Sequence, residues 1–440
     1  MNPLARRNVC PTIARPILTG DGLLARLPPV GPLSGEAIRA VCDAARTFGN
    51  GIVEITARGS IQVRGLAESA TAPFVEALAA VGIVDAQPAI LAGPLSGLDQ
   101  DEVMDVRPLV RAIRDAVETE RIGTRLAPKT SIVLDGGGSL HLDAIDADLR
   151  LVATGAARFT LIVGGTAATG KLVGTVSAGD AVSTALILLR MIADAGPSAR
   201  GRDLDPAAVL AAIGAHATNP PPRRPPARPV GVHALRDGRF ALGVGLPFGQ
   251  TDTATLAALV DTSTDGGAAA FVPAEGRTLL AIGIARERVA GCRERAAELG
   301  FVVRSDDPRR AVVACAGAPA CAAGMMPARA VAPAVAAEAA PILDGSVTVH
   351  VSGCAKGCAH PRAAALTFVG SEHGARLVIA GRADSATAVG LTDGDLPAAV
   401  ARLAASVGAA RRPGETAAEV IDRLGADGVA AAIAREPADA

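Results

Sequence analysis

Two hydrophobic periods alternate along the chain, and their order recurs. Asp21–Leu27 reads as a short strand. Ser34 then precedes Ile38, Val41, Cys42 and Ala45, apolar positions spaced i, i+3, i+4, i+7, which predicts a Ser-capped helix to about Phe48. Gly49-Asn50-Gly51 stops it. Ile52–Thr56 and Ile61–Leu66 flank the turn Ala57-Arg58-Gly59-Ser60 and read as a hairpin, and Thr71–Ala80 reads as a second helix. The order β-α-β-β-α is close to half of a split ferredoxin-like fold.

The same order returns in the second half of the chain. Asp237–Gly245 reads as a strand and Thr253–Ser263 as a helix with Leu256, Leu259 and Val260 inward. Ala268–Val272 and Thr278–Ile284 form a hairpin, and Ala285–Leu299 is a helix. Ala57-Arg58-Gly59 aligns with Ala274-Glu275-Gly276, 217 positions further on, and so long a period means domain duplication rather than a solenoid. Each half-unit leads into a larger α/β segment. The first has a helix near Val106–Glu118, strands at Ser131–Leu134 and Phe159–Val163, and a helix near Ala178–Ala195. The second has strands at Ala311–Ala314, Ser346–Val351, Ala364–Val369 and Arg376–Ile379, then a final helical region. Between the halves, Asn219–Pro229 holds six prolines and reads as extended linker. The fold class is α+β: half-domains over 15–85 and 231–305, α/β domains over 95–215 and 306–440, and a linker over 216–230.

Composition changes this picture little. The 440 residues include no Trp, no Tyr and eight Phe, which argues against a base-stacking nucleic-acid surface. A net charge of -1 offers no electrostatic case for nucleic acid or an anionic membrane. The N-terminal stretch lacks the apolar core of a signal peptide, and no run reaches the ~18–20 apolar residues that span a bilayer. Ala330–Leu343 comes nearest but contains Pro333, Glu338 and Pro341. A cytoplasmic protein is expected, in a compartment where clustered cysteines suggest metal rather than disulfides.

The cysteines carry the clearest chemistry. Cys315 and Cys321 have five residues between them; after a gap of 32 residues come Cys354 and Cys358, with three between them. Small residues (Gly353, Ala355, Gly357, Ala359) flank the second pair. Two such pairs meeting in space build a four-thiolate metal site, and the five-residue gap suits iron–sulfur better than structural zinc. Cys42 and Cys292 lie on apolar helix faces and read as core, and Cys10 is unassigned.

Other candidates are weaker. In the hairpin, Gln62 and Arg64 share one strand face and Arg58 sits in the turn. Such a face can bind carboxylates, although a solvated outer face is the plainer reading of those residue types alone. Lys129, near Arg121 and Arg125, reads as solvated. Gly165–Leu172 mimics a P-loop, but Leu172 stands where magnesium needs Ser or Thr; only an anion-accepting loop remains open. The histidines show no metal-ligand spacing, and His360 suits a place beside the cysteines or on the surface. No dinucleotide fingerprint occurs.

The cysteine pairs, the duplicated half-units and the hairpin Thr56-Ala-Arg-Gly-Ser-Ile-Gln-Val-Arg64 together resemble the sirohaem-dependent nitrite and sulfite reductase superfamily. Three further stretches are most similar to its members that act on a corrin precursor in aerobic cobalamin biosynthesis: Cys10-Pro11 ahead of Asp21-Gly-Leu-Leu24, Pro94–Asp99 and Asp146–Arg150. The resemblance implies two half-domains pairing into one pseudo-symmetric domain with two larger α/β domains around it. It implies a [4Fe–4S] cluster on Cys315, Cys321, Cys354 and Cys358. Tetrapyrrole carboxylates would meet Arg58, Gln62, Arg64 and Lys129. It also implies dioxygen-dependent hydroxylation of precorrin-3A, fed by NADH or by a reductase or ferredoxin, and a mononuclear non-haem iron whose ligands no spacing marks. Thr130-Ser131 and Pro88-Ala89 stand where the reductases carry Phe-Lys and Arg-Asn, which removes positive charge where an oxyanion would sit. The rivals are a sirohaem nitrite or sulfite reductase and an iron–sulfur electron carrier.

Overall fold

The Ser34 hydroxyl accepts the amide of Ala37 at 3.1 Å and starts the first helix, α1 (Gly35–Phe48), as a capping serine should. Its buried stripe contains Ile38, Val41, Cys42 and Ala45, and it packs on the hairpin of β3 (Ile52–Ile55) and β4 (Ile61–Leu66). Burial pushes the Cys42 thiol up to about 12, as expected of a core cysteine. The short β1 (Ile17–Thr19) precedes β2 (Gly22–Arg26), and the hairpin is followed by α2 (Thr71–Ala79). The computed structural model describes residues 10–29, 31–214, 216, 218–386, 389–391 and 396–434. These form two compact units. One takes residues up to Ile17, 23–244 and 251–299; the other takes 18–22, 245–250 and the chain from Gly300.

Duplication is written into the first unit. Its β2-β4-β3 order is matched by β11-β14-β13, from β11 (Phe240–Gly245), β13 (Ala270–Ala274) and β14 (Thr278–Ile284). β10 (Gly231–Ala234) lies beside β11; the sequence pattern missed it because the strand is only four residues long and comes just after the proline-rich stretch. β12 (Gln250–Asp252) leads into α6 (Thr253–Asp265), the counterpart of α1, and α7 (Val289–Glu298) closes the half. The two halves meet across their pseudo-symmetric elements. The hairpin tips bridge at Arg58 and Glu275, with the Gly276 amide donating to Ala57 O at 3.0 Å. Leu33 and Phe271 exchange both backbone hydrogen bonds, and α1 packs on α6 with Arg39 paired to Asp261 at 2.9 Å.

The larger α/β segment of this unit is a five-stranded sheet in the order β5-β6-β7-β8-β9 (Ala89–Ala92, Ser131–Asp135, Ala147–Gly155, Arg158–Gly165, Lys171–Ser177). Its first two pairings are parallel and its last two antiparallel. Helices α3 (Arg107–Thr119) and α4 (Ala181–Asp194) cover it through Ile113, Leu188 and Ile192, and α5 (Pro206–Ile213) follows. The second unit repeats the pattern, with β15-β16-β17-β18-β19 (Val312–Ala314, Val349–Ser352, Ala364–Ser371, Gly374–Gly381, Val389–Leu391), again parallel twice and then antiparallel twice. Its core takes in α8 (Ala328–Ala339), α9 (Leu396–Ala410) and α10 (Ala417–Ala434).

Three stretches singled out in the sequence take definite places. The P-loop-like stretch is a β8–β9 hairpin turn with no helix after it, and the Lys171 ammonium is spent on the carbonyls of Arg202 (2.7 Å) and Leu204 (3.2 Å). The proline-rich linker is extended but tied down. Arg224 binds both Asp135 and Asp143, and His141 Nε2 lies 2.8 Å from Pro225 O. The apolar stretch with Pro333 supplies α8, where burial of Ala332, Val335, Ala336 and Ala339 offsets the lost backbone hydrogen bond. No helix among the described residues is long and apolar enough to cross a membrane.

Candidate metal centre and ligand-binding face

Cys315 directly follows β15, and Cys354 comes two residues after β16. These strands are parallel neighbours, so both cysteines leave the sheet at its carboxyl edge, where open α/β sheets bind ligands. The Cys315 amide donates to Val351 O (3.2 Å), and the Gly353 amide donates to Cys315 Sγ (3.1 Å). The loop between Cys315 and Cys321 turns back on itself: Cys321 N meets Gly317 O at 2.8 Å and Gly324 N meets Cys321 O at 2.8 Å. Met325 N reaches Gly353 O (2.7 Å), stitching the first cysteine loop to the second. The loops cross so closely that a Cβ on Gly353 would sit 2.9 Å from Gly317 Cα, so the flanking glycines are a packing requirement. Cys358 follows one tight turn on and is exposed; the other three are partly buried. His350, fully buried on β16, and His360 stand with ring centroids 5.6 Å apart next to this second loop.

Cys315, Cys321 and Cys354 supply neighbouring thiols of the kind an iron–sulfur cluster takes. Burial raises the Cys315 thiol, the Gly353 and Gly317 amides pull it down, and the neighbouring Cys354 and Cys321 raise it again. A thiol that sits among others and already receives an amide hydrogen bond, as Cys315 does, is one a metal would deprotonate and hold. Among the described residues no group of three or more His, Cys, Asp or Glu side chains is arranged around a single ion.

The hairpin face lies in the first unit. Gln62 is buried and stands in register between Arg26 on β2 and Glu54 on β3. With its amide turned to suit both neighbours, it donates to Glu54 Oε2 (3.0 Å) and accepts from Arg26 (2.7 and 2.8 Å). Arg64 pairs with Glu54 at 3.2 Å, both largely buried, and Arg26 also reaches Cys10 Sγ at 3.2 Å. Gln62 and Arg64 thus share one face, joined to Arg26 and Glu54, which sequence reasoning passed over. The period-two pattern of Asp21–Leu27 is the signal that could have found Arg26. The pseudo-equivalent face of the other half is apolar: Val272, Ala274, Leu280 and Ile282 cluster with Leu95, Leu140 and Leu235.

Arg58 keeps part of its surface in solvent and donates to Asp146 O at 2.6 Å. Burial lowers its pKa, Asp146 opposes this, and Arg26 and Arg200 lower it further, so three guanidiniums share this region. Arg200 grips the buried Asp148 through two nitrogens at 2.8 Å and donates to Lys129 O at 3.0 Å. Lys129 is therefore placed near the cluster by its backbone; its side chain is exposed. The stretches used for the resemblance are structural ties. Asp148 accepts Ser131 N (2.9 Å) and Gly201 N (2.8 Å), fully buried Arg150 donates to Leu142 O (2.9 Å), and Asp99 accepts the Ser139 amide and hydroxyl (2.7 Å each).

Residues 16–81 match the nitrite/sulfite reductase ferredoxin-like half domain. The fold is that of the NirA protein of Mycobacterium tuberculosis, with a TM-score of 0.72 and 20% identity, covering 92% of this chain and 84% of that one. Fold and half-domain are those of the nitrite/sulfite reductase type. A ferredoxin–nitrite reductase of Synechococcus elongatus is 30% identical over 145 residues, only 30% of this chain and 28% of the relative. The precorrin-3B synthase of Sinorhizobium sp is 39% identical over 434 residues, 97% of this chain and 94% of the relative. The chain belongs to the precorrin-3B synthase family.

Proposed function

We propose that this chain is a cytoplasmic monooxygenase that hydroxylates precorrin-3A at carbon 20 of the macrocycle and closes a γ-lactone from the ring-A acetate. One atom of dioxygen enters the product; the other leaves as water with two electrons from a reduced donor, NADH or a reductase or ferredoxin. The similarity along almost the whole length of a precorrin-3B synthase carries this reading. Within the chain, the unequal faces of the duplicated halves support a single ligand site. One half carries Arg26, Gln62 and Arg64, with Arg58 in the hairpin turn; on the other, Val272, Leu280 and Ile282 are packed against Leu95, Leu140 and Leu235, with Glu275 and Arg277 in the hairpin turn. A tetrapyrrole bearing several carboxylates would bind the polar half, with guanidiniums giving paired, charge-assisted hydrogen bonds.

Cys315, Cys321, Cys354 and Cys358 would hold a [4Fe–4S] cluster, which when bound supplies single electrons. The Gly353 amide stabilises the Cys315 thiolate, and the crossed loops keep its neighbours fixed. Arg58 and Arg64 orient the macrocycle through its acid side chains, while Gln62 holds Arg26 and Glu54 in register. A mononuclear non-haem iron belongs to the same reading, without ligands assigned here. Lys129 would reach a carboxylate by extending from its fixed backbone. The test is to purify the protein anaerobically and record its absorption spectrum and iron and acid-labile sulfide content. A broad iron–sulfur shoulder without tetrapyrrole bands supports the reading; sirohaem bands would return the chain to the reductases.

A further inference from the structure

The turn between β1 and β2 belongs to the same compact unit as the cysteine loops. It is a built turn: the Thr19 hydroxyl sits 2.7 Å from both Asp21 Oδ1 and Gly22 O. Its Gly20 carbonyl accepts the amide of Ala322 at 2.9 Å, the residue directly after Cys321. A Cβ at Gly20 would lie 2.1 Å from Cys321 Sγ and 3.5 Å from Cys321 Cβ. The turn therefore lies directly against the thiol with no room for a methyl group. The backbone at Gly20 is not in the left-handed region, so alanine there meets only the Cys321 sulfur as an obstacle.

We propose that Gly20 is a positioning residue for the cluster ligand Cys321, fixing the direction in which its sulfur points. The proposal rests on the four-cysteine cluster described above. Its consequence differs between two states of the protein. Without a cluster, Cys321 Sγ is the end of a short side chain that can turn to another rotamer and admit the alanine at little cost. With a cluster, the sulfur is tied to iron and cannot turn. The strain then falls on the iron–sulfur bond or on the turn, and the cluster is held less firmly.

The experiment compares Gly20→Ala with the parent protein and with Gly31→Ala, a control where an added Cβ meets nothing within 4 Å. Each is reconstituted anaerobically, its iron and sulfide counted, and cluster loss followed by absorbance in excess chelator. Cluster-free samples are melted in parallel by circular dichroism. Gly20→Ala should lose its cluster about tenfold faster than the parent, as changes around a ligand shell do, while its cluster-free melting matches the parent. Loss at the parental rate would overturn the proposal, and so would a cluster-free Gly20→Ala that melts well below Gly31→Ala, since the glycine would then serve the fold. A parent protein that binds no cluster at all would instead overturn the cluster reading.

Discussion

Replacing Arg224 by methionine should expose how the proline-rich connection is held. Arg224 Nε lies 3.0 Å from Asp143 Oδ2 and Nη1 lies 3.3 Å from Asp135 Oδ1, while Nη2 reaches both carboxylates. Asp135 is 2% exposed, and Arg224 and Asp143 are 22% and 23% exposed. Removing one partner of a buried pair costs about 3–5 kcal/mol; partial solvent access here reduces that to about 2–4 kcal/mol. For a unit of this size the melting temperature should fall by roughly 5–10 °C. With no Trp or Tyr in the chain, far-UV circular dichroism is the natural probe.

The pH dependence sharpens this test. Burial works against the Asp143 charge, but the hydrogen bond and charge of Arg224 outweigh it and hold the carboxyl below its usual value. A depressed carboxylate contributes stability above its unfolded pKa of about 3.9 and loses it as pH falls through the lower folded value. Without Arg224, burial still works against the Asp143 charge and only the weaker pull of His141 and Arg150 opposes it. The gap between parent and variant should therefore be widest near pH 7 and close as pH falls below about 4. A melting point within 1 °C of the parent, or a gap that widens in acid, would refute the reasoning.

Two further changes separate the ligand face from the metal centre. Cys321→Ser should bind substoichiometric iron and sulfide; a variant retaining the full complement would remove Cys321 from the ligand set. Arg58→Met should weaken precorrin-3A binding about ten- to a hundredfold with kcat little changed, since a charge-assisted hydrogen bond contributes roughly 1.5–3 kcal/mol. An unchanged KM would leave Arg58 to its contact with Asp146 O.

The duplication was legible because its signals are local. Ser34, the glycines after Phe48 and the period-two runs around Arg58 each determine a short piece of backbone, and the pieces recur. The strands over 89–92, 147–155 and 171–177 were not legible. The middle one is buried along its first seven residues, including Asp148 and Arg150, so it lacks the alternation that marks a half-exposed strand. The cysteine pairs could be read from spacing, whereas their junction with Gly20 depends on a contact across some three hundred residues, which no local pattern encodes. Arg26 and Glu54 escaped notice for the same reason: each matters only through its register with Gln62. The plain reading of the hairpin as a solvated face gives way to a partly buried polar network centred on a glutamine.

The central claim is that this chain places oxygen on a corrin precursor. The direct measurement is mass spectrometry of the product formed from precorrin-3A by the anaerobically reconstituted protein, given a reduced donor and 18O-labelled dioxygen. The account predicts a product heavier than the substrate by one labelled oxygen atom and carrying a lactone. Unchanged precorrin-3A, from protein that instead binds sirohaem and reduces nitrite or sulfite, would contradict it.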